Sequence, residues 1–187
     1  VAKWNLERFA ECLLPLIDPN KDKSLEMAKE VLKEFPERYK KLWLDMMKNK
    51  LGLDGEESSD QDLIVELLTW MHGQKADYTN TFCFLMNKLS SDKSIYNNES
   101  FSRWKGKWDK RKKLNKNSPE KSYEIMLDAN PLIIPRNHNV EESLRDAEEK
   151  NDLTKFNELL NNIKKSKFDN CCNPKYQSTG DNSKNYK

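Results

Sequence analysis

Apolar residues recur at helical spacing along most of this chain, and apolar–polar alternation is almost absent. Leu6, Phe9, Ala10, Leu13, Leu14 and Ile17 draw one stripe, with Asn5 as its expected N-cap and Asp18-Pro19-Asn20 as its end. Leu25, Ala28, Val31, Leu32 and Phe35 predict a second helix. Pro36 is expected to close it, because a ring nitrogen has no hydrogen to give the ladder. Tyr39, Leu42, Trp43, Met46 and Met47 predict a third helix running to Gly52.

A polar loop over 53–60 offers Ser59 or Asp60 as the next cap, followed by Leu63, Ile64, Leu67, Leu68 and Met71. Gly73 is expected to end that helix. Asp77 is expected to cap another, which carries Phe82, Phe84, Leu85, Met86 and Leu89. Phe101, Trp104 and Trp108 fall at i, i+3 and i+7. Ser118-Pro119-Glu120 then marks a start by hydroxyl cap, first-turn proline and acid on the positive end of the dipole. Two more helices are expected over 140–149 and 153–163, the second capped by Asp152. Periodicity stops at Lys164. The pattern predicts an all-α bundle of about nine helices, with 1–165 as one helical domain and 166–187 as an extended or mobile tail.

Composition supports helices and limits the core. Of 187 residues only 5 are glycine, 34% are charged and 36% hydrophobic, and the mean hydropathy is −0.99. Five Trp, seven Phe and six Tyr still supply bulk, so a thin core, or one completed by a neighbour, is expected. The net charge of +2 gives no global field to steer a polyanion. No run approaches the length of a membrane span and no signal pattern precedes Trp4, so no membrane partner is expected. The sequence opens at Val1 rather than Met, as a processed or partial chain would. Cys12, Cys83, Cys171 and Cys172 fit neither a disulfide scaffold nor a zinc knuckle, so reduced thiols and a cytoplasmic location are expected.

The pattern offers little catalytic chemistry. His72 and His138 are the two histidines, and neither has partners at a zinc-ligand spacing, so no metal site is expected. His138 with Glu141 and Glu142 has the composition of an acid–base cluster, but a histidine at a helix start more often bonds local backbone. Cys171-Cys172 is expected to be a free thiol pair, since adjacent cysteines pair only with strain. No phosphate loop and no nucleophile–base–acid set can be assembled, so catalytic and cofactor-binding residues are expected to be absent. Residues 103–116 hold eight basic residues against one acidic. Arg103, Lys105, Lys107, Lys110 and Arg111 would form a contact face for nucleic acid or an acidic protein if this were a stand-alone interaction module. The alternative is a buried Trp stripe with a solvated basic face, which makes nucleic acid an unlikely partner.

Asn130, Pro131, Pro135, Arg136, Asn137 and His138 read as a rigid corner between helices. Asn130 is expected to cap with Pro131 in a first helical turn, and Pro135 to free carbonyls for Arg136 and Asn137. "NPLIIPRNHNVEESLRDAEEKNDLTKFNELL" (130–160) resembles the hallmark C-terminal segment of the selenoprotein O family. "WNLERFAECLLPLI" (4–17), "MMKNKLGL" (46–53), "ADYTNTFCFL" (76–85) and "FSRWKGKWDKR" (101–111) resemble further family blocks in the same order. The resemblance implies the later C-lobe helices and C-terminal extension of a kinase-like fold. Its activity would be AMP transfer from ATP, with Mg2+, onto Ser, Thr or Tyr of protein substrates, linked to redox stress. The nucleotide, metal and catalytic residues of the family would lie before Trp4, in a partner half absent here. This chain alone would then be an inactive scaffold or regulator. The family's disulfide to a C-terminal cysteine does not carry over to Cys171 or Cys172.

Overall fold

The computed structural model describes residues 1–90, 93–168 and 172–179, and every regular element among them is helical. The chain divides into two compact units, Val1–Met46 and Met47–Lys187. The first holds α1 (Ala2–Ile17) and most of α2 (Lys21–Leu51). Its interior is small. Ser24 and Ala28 are its buried residues, whereas Trp4, Phe9, Leu16 and Val31 are exposed.

Two expectations change here. Asn5 lies inside α1, whose N-cap is Val1. Pro36 does not close a helix, because α2 runs through it as one element. The proline removes a single backbone donor, and the turns on either side are rich in Glu, Lys, Arg and Leu, which favour helix. The effective start signal is Asn20, whose Oδ1 accepts from the amides of Asp22 and Lys23.

The second unit contains α3 (Asp60–Gln74), α4 (Tyr78–Leu85), a 3-10 turn (Ser94–Tyr96), α5 (Glu99–Lys112), α6 (Pro119–Ala129), α7 (Asn137–Lys150), α8 (Thr154–Phe168) and α9 (Pro174–Gln177). Gly52 ends α2 in the left-handed region at φ 64. The amides of Gly52 and Leu53 return to the carbonyls of Asn49 and Lys48. A Cβ there would lie 2.8 Å from the Met126 side chain and 2.9 Å from the Ser122 carbonyl, so glycine is required. Gly73, expected to end α3, sits inside it. Lys75 takes the left-handed position instead.

The core is aromatic, as the α5 stripe predicts. Phe101, Trp104 and Trp108 are at most 3% exposed, and Phe84, Tyr96 and Trp70 pack on Phe101. The Trp104 indole donates to the Leu63 carbonyl at 2.8 Å, and that of Trp108 to the Leu51 carbonyl at 2.9 Å. Each ring therefore buries apolar area while satisfying a helical carbonyl. A second cluster, Ile133, Leu159 and Tyr176, lies under α7 and α8.

The expected tail differs in its described part. The α8 helix continues to Phe168, and α9 is docked, with Tyr176 4% and Gln177 1% exposed. Pro174 in the first turn and an Asn173 cap explain so short a helix. Cys171 and residues 180–187 lie outside the described residues.

Candidate functional site

The corner at 130–138 is built by long-range polar contacts. Asn130 is the C-cap of α6 and does not start a new helix, and Pro131 stands outside any helix. The Asn130 Nδ2 donates to the carbonyls of Lys50 and Met126, at 2.9 and 2.8 Å. Lys50 Nζ returns to Asn130 Oδ1 and the Ala129 carbonyl, closing the end of α6. Burial lowers the pKa of this lysine, and its ammonium lies 5.1 Å from the Phe82 ring.

Arg136 bonds a carboxylate rather than the carbonyls freed by Pro135. Its two terminal nitrogens donate to Asp77 Oδ2 and Oδ1 at 2.7 and 2.9 Å, and one also donates to Asn80 Oδ1 at 3.1 Å. Arg136 Nε, like Asn139 Nδ2, is a buried donor without a partner among the described residues. Asp77 has a second task as the expected cap of α4, accepting from the Asn80 amide at 2.8 Å. Burial works to raise its pKa, but the Arg136 guanidinium and backbone amides hold it below the ordinary value. Asn137 opens α7, and His138 is half-buried in its first turn, with no ring hydrogen bond among the described residues.

Gln177 joins this corner from α9. Its Nε2 donates to the carbonyls of Lys88 and Leu132, and its Oε1 accepts from the Ser90 amide. Its own carbonyl accepts from Asn80 Nδ2 at 3.0 Å. The buried Cys83 thiol faces the Leu132 carbonyl at 3.8 Å, and burial, with Cys172 and Asp77 nearby, pushes its pKa up to about 12. That suits a packed thiol, not a nucleophile. No sequence pattern marks Gln177, because its partners lie 45 to 97 positions away.

A second polar cluster lies under the loop after α2. Asp60 accepts from Arg111 Nε at 2.5 Å and from its terminal nitrogen at 3.1 Å, with both side chains almost fully buried. Arg111 also donates to the Asp54 carbonyl and to Asn115, and Lys48 donates to the Gly55 carbonyl. Arg111 therefore drops out of the expected basic face. The signal was present, since 111 follows 101, 104 and 108 on the buried side of α5.

The rest of that face is largely neutralised. Arg103 pairs with Glu99, Lys105 with Asp109, and Lys107 with Glu66. Lys110 is exposed. Nowhere among the described residues do three His, Cys, Asp or Glu side chains converge as a metal would need. None of the described helices is long and apolar enough to cross a membrane.

A family model described as protein adenylyltransferase SelO matches residues 1–164. Over 164 residues the chain is 50% identical to a protein nucleotidyltransferase YdiU of Pelagibacter ubique, covering 88% of this chain and 34% of that protein. It is 46% identical to the protein of the same name from Alcanivorax borkumensis, over 86% of this chain and 33% of the relative. With the Clostridium beijerinckii protein the identity is 43%, over 93% and 34%. The chain thus spans about a third of the length of the curated relatives it matches. On the strength of a match that reaches from α1 to α8, this chain belongs to the SelO family.

Proposed function

We propose that this chain is the C-terminal helical part of a SelO-type protein adenylyltransferase. It would correspond to the later C-lobe and C-terminal extension of a kinase-like fold, and serve that enzyme as a scaffold or regulator. The whole enzyme would move AMP from ATP, with Mg2+, to hydroxyls of protein substrates. The observation that carries this reading is the continuous family match over 1–164, spanning a third of the relatives' length. The exposed apolar residues of the first unit support it, since Phe9 and Leu16, on one side of α1, suit a helix made to pack against a further body. Among the described residues no three His, Cys, Asp or Glu side chains converge. No step of nucleotide chemistry is assigned to these residues. The free thiols of Cys12 and Cys83 support a reducing, cytoplasmic setting.

The test is AMP transfer from labelled ATP with Mg2+ and a generic protein acceptor. The 187-residue chain alone is expected to give no labelling. The same chain fused behind the part of the Pelagibacter ubique relative that lies outside the match is expected to label the acceptor. Strong labelling by the chain alone overturns the reading. The rival, a free-standing module using the basic α5 face, is disfavoured by the buried Arg111 and by the acidic partners of Arg103, Lys105 and Lys107.

A further inference from the structure

We propose that the open groove between α7 and α8 is the contact through which two copies of this chain pair about a two-fold axis. The groove has a volume of about 170 Å3 and is walled by Pro135, Val140, Leu144, Phe156, Leu160 and Ile163. An apolar cavity of roughly 150 Å3 is enough to hold a benzene ring, so the groove admits one large apolar side chain. Its walls are open to solvent: Leu144 is 53% exposed, Phe156 45% and Leu160 37%. The inner end of the same hairpin is already filled. Tyr176 of α9 packs there with Ile133 and Leu159, and Val140 and Ile163 pack against that cluster. The outer end, at Leu144, Phe156 and Leu160, faces water.

The surface carries side chains of the kind that its own groove takes. Leu153, 55% exposed, stands just ahead of α8 and three residues before Phe156, beside the groove and outside its wall. Leu153, Phe156, Leu160 and Ile163 recur at spacings of three and four, the pattern of a seam between helices. On α7, Val140, Leu144 and Ala147 repeat that spacing. Two such hairpins laid face to face would each offer a large apolar side chain to the other's groove. A two-fold contact requires that kind of self-complementarity, because one patch must fit itself.

Charge selects between the two ways of laying them. Val140 and Ile163 pack on one cluster, so their chain neighbours Glu141 and Lys164 lie at the same end of the hairpin, one on each helix. Both are exposed, and neither has an ion-pair partner among the described residues. The α7 flank stays negative even with Arg145 counted, since Glu141 and Glu148 both stand on it. With the two-fold axis along the helices, α7 of one copy lies over α8 of the other, and Glu141 meets the partner's Lys164 twice. With the axis across them, α7 lies over α7 and Glu141 faces the partner's Glu148. Opposite charges meet in the first arrangement and like charges in the second, so the first is favoured. The outer side of α1 is also apolar. Its Lys3–Glu7 and Arg8–Glu11 pairs close within the helix and favour no orientation of a second copy.

The experiment is analytical sedimentation of the 187-residue chain without nucleotide, over about 5–500 µM, where a contact of this small size is expected to titrate. A reversible monomer–dimer equilibrium is expected. Leu144→Glu, an exposed change whose folding is checked by the near-ultraviolet aromatic signal, should weaken the dimer by about tenfold. Phe9→Glu, on the apolar side of α1, should leave it unchanged. Glu141→Lys and Lys164→Glu should each weaken it by about threefold, and the two together should restore it, which a merely damaged fold would not do. A monomer at every concentration, or a dimer indifferent to Leu144→Glu, would overturn the proposal. So would loss of the dimer in Phe9→Glu, or no recovery in the double variant. Because no AMP transfer is measured, this contact can fail while the enzymatic reading stands, and the reverse.

Discussion

At the residue scale, Arg136 is the side chain whose role is most sharply defined. One guanidinium reaches from the start of α7 to Asp77 and Asn80 at the start of α4, with its side chain 10% exposed. A fork that meets both carboxylate oxygens restricts distance and orientation together, which a point charge does not. Arg136→Ala leaves Asp77 half-buried without its partner. It should cost about 2 kcal/mol, or roughly 4–8 °C in melting midpoint for a chain of this length. Arg136→Lys keeps the charge and loses the fork, so it should recover less than half of that. Thermal melts of the three proteins decide the matter, and an Arg136→Ala midpoint equal to that of the parent would show that the Arg136–Asp77 contact does not stabilise the corner.

At the element scale, α7 and α8 are joined by Lys155, which reaches Glu142 and Asp146, while Lys150 also bonds Asp146. These two lysines hold the Asp146 pKa down to about 2 from an ordinary 3.8. A carboxyl lowered on folding stabilises the fold above its unfolded pKa, and that contribution is lost as pH falls toward the folded value. The acid limb of a stability–pH curve between about 4 and 2 should therefore flatten in Asp146→Asn. A limb of unchanged slope would show that the lysines do not stabilise the fold through Asp146. Lys155, whose pKa is raised first by Asp146 and then by Glu142, acts in the opposite direction: its contribution disappears as pH rises past its folded value.

The elements also show what a sequence exposes to reading. Helix faces were legible because their signals are local: the stripe of Phe101, Trp104 and Trp108, the Ser118-Pro119 start and the Asp77 cap all lie within a turn or two of what they control. The partner of Asp77 was not legible. Arg136 lies 59 positions away, and nothing in either segment names the other. Gln177 was missed for the same reason. Pro36 was misread because a single lost donor weighs less than a long run of good helix formers. Pro36→Ala should then restore one backbone bond within α2, adding about 1–3 kcal/mol to the local helix. Hydrogen exchange at residues 37–40 should slow accordingly, and unchanged exchange would mean that the proline costs the helix nothing.

At the scale of the whole molecule, the two units differ in how much apolar surface they remove from water. From Met47 on, side chains such as Phe82, Phe101, Trp104 and Trp108 are nearly inaccessible, and the indoles satisfy carbonyls as they pack. In Val1–Met46 the α1 helix buries no residue, while Trp4 is 60% and Leu16 83% exposed. Burial of apolar area is what offsets the conformational entropy of ordering a helix, and an isolated helix of about 16 residues is marginal in water. The first unit therefore lacks the means to share the stability of the second, and the chain should open in parts instead of in one transition. Amides of α1 should exchange with opening free energies near zero, while those of α5 approach the global value. Limited proteolysis should cut within 1–46 first and leave a fragment from about 47 onward that retains its near-ultraviolet aromatic signal. If α1 amides prove as protected as those around Trp104, a core invisible in the burial of Trp4, Phe9 and Leu16 must hold them, and the case for a surface built to receive another body loses its physical footing.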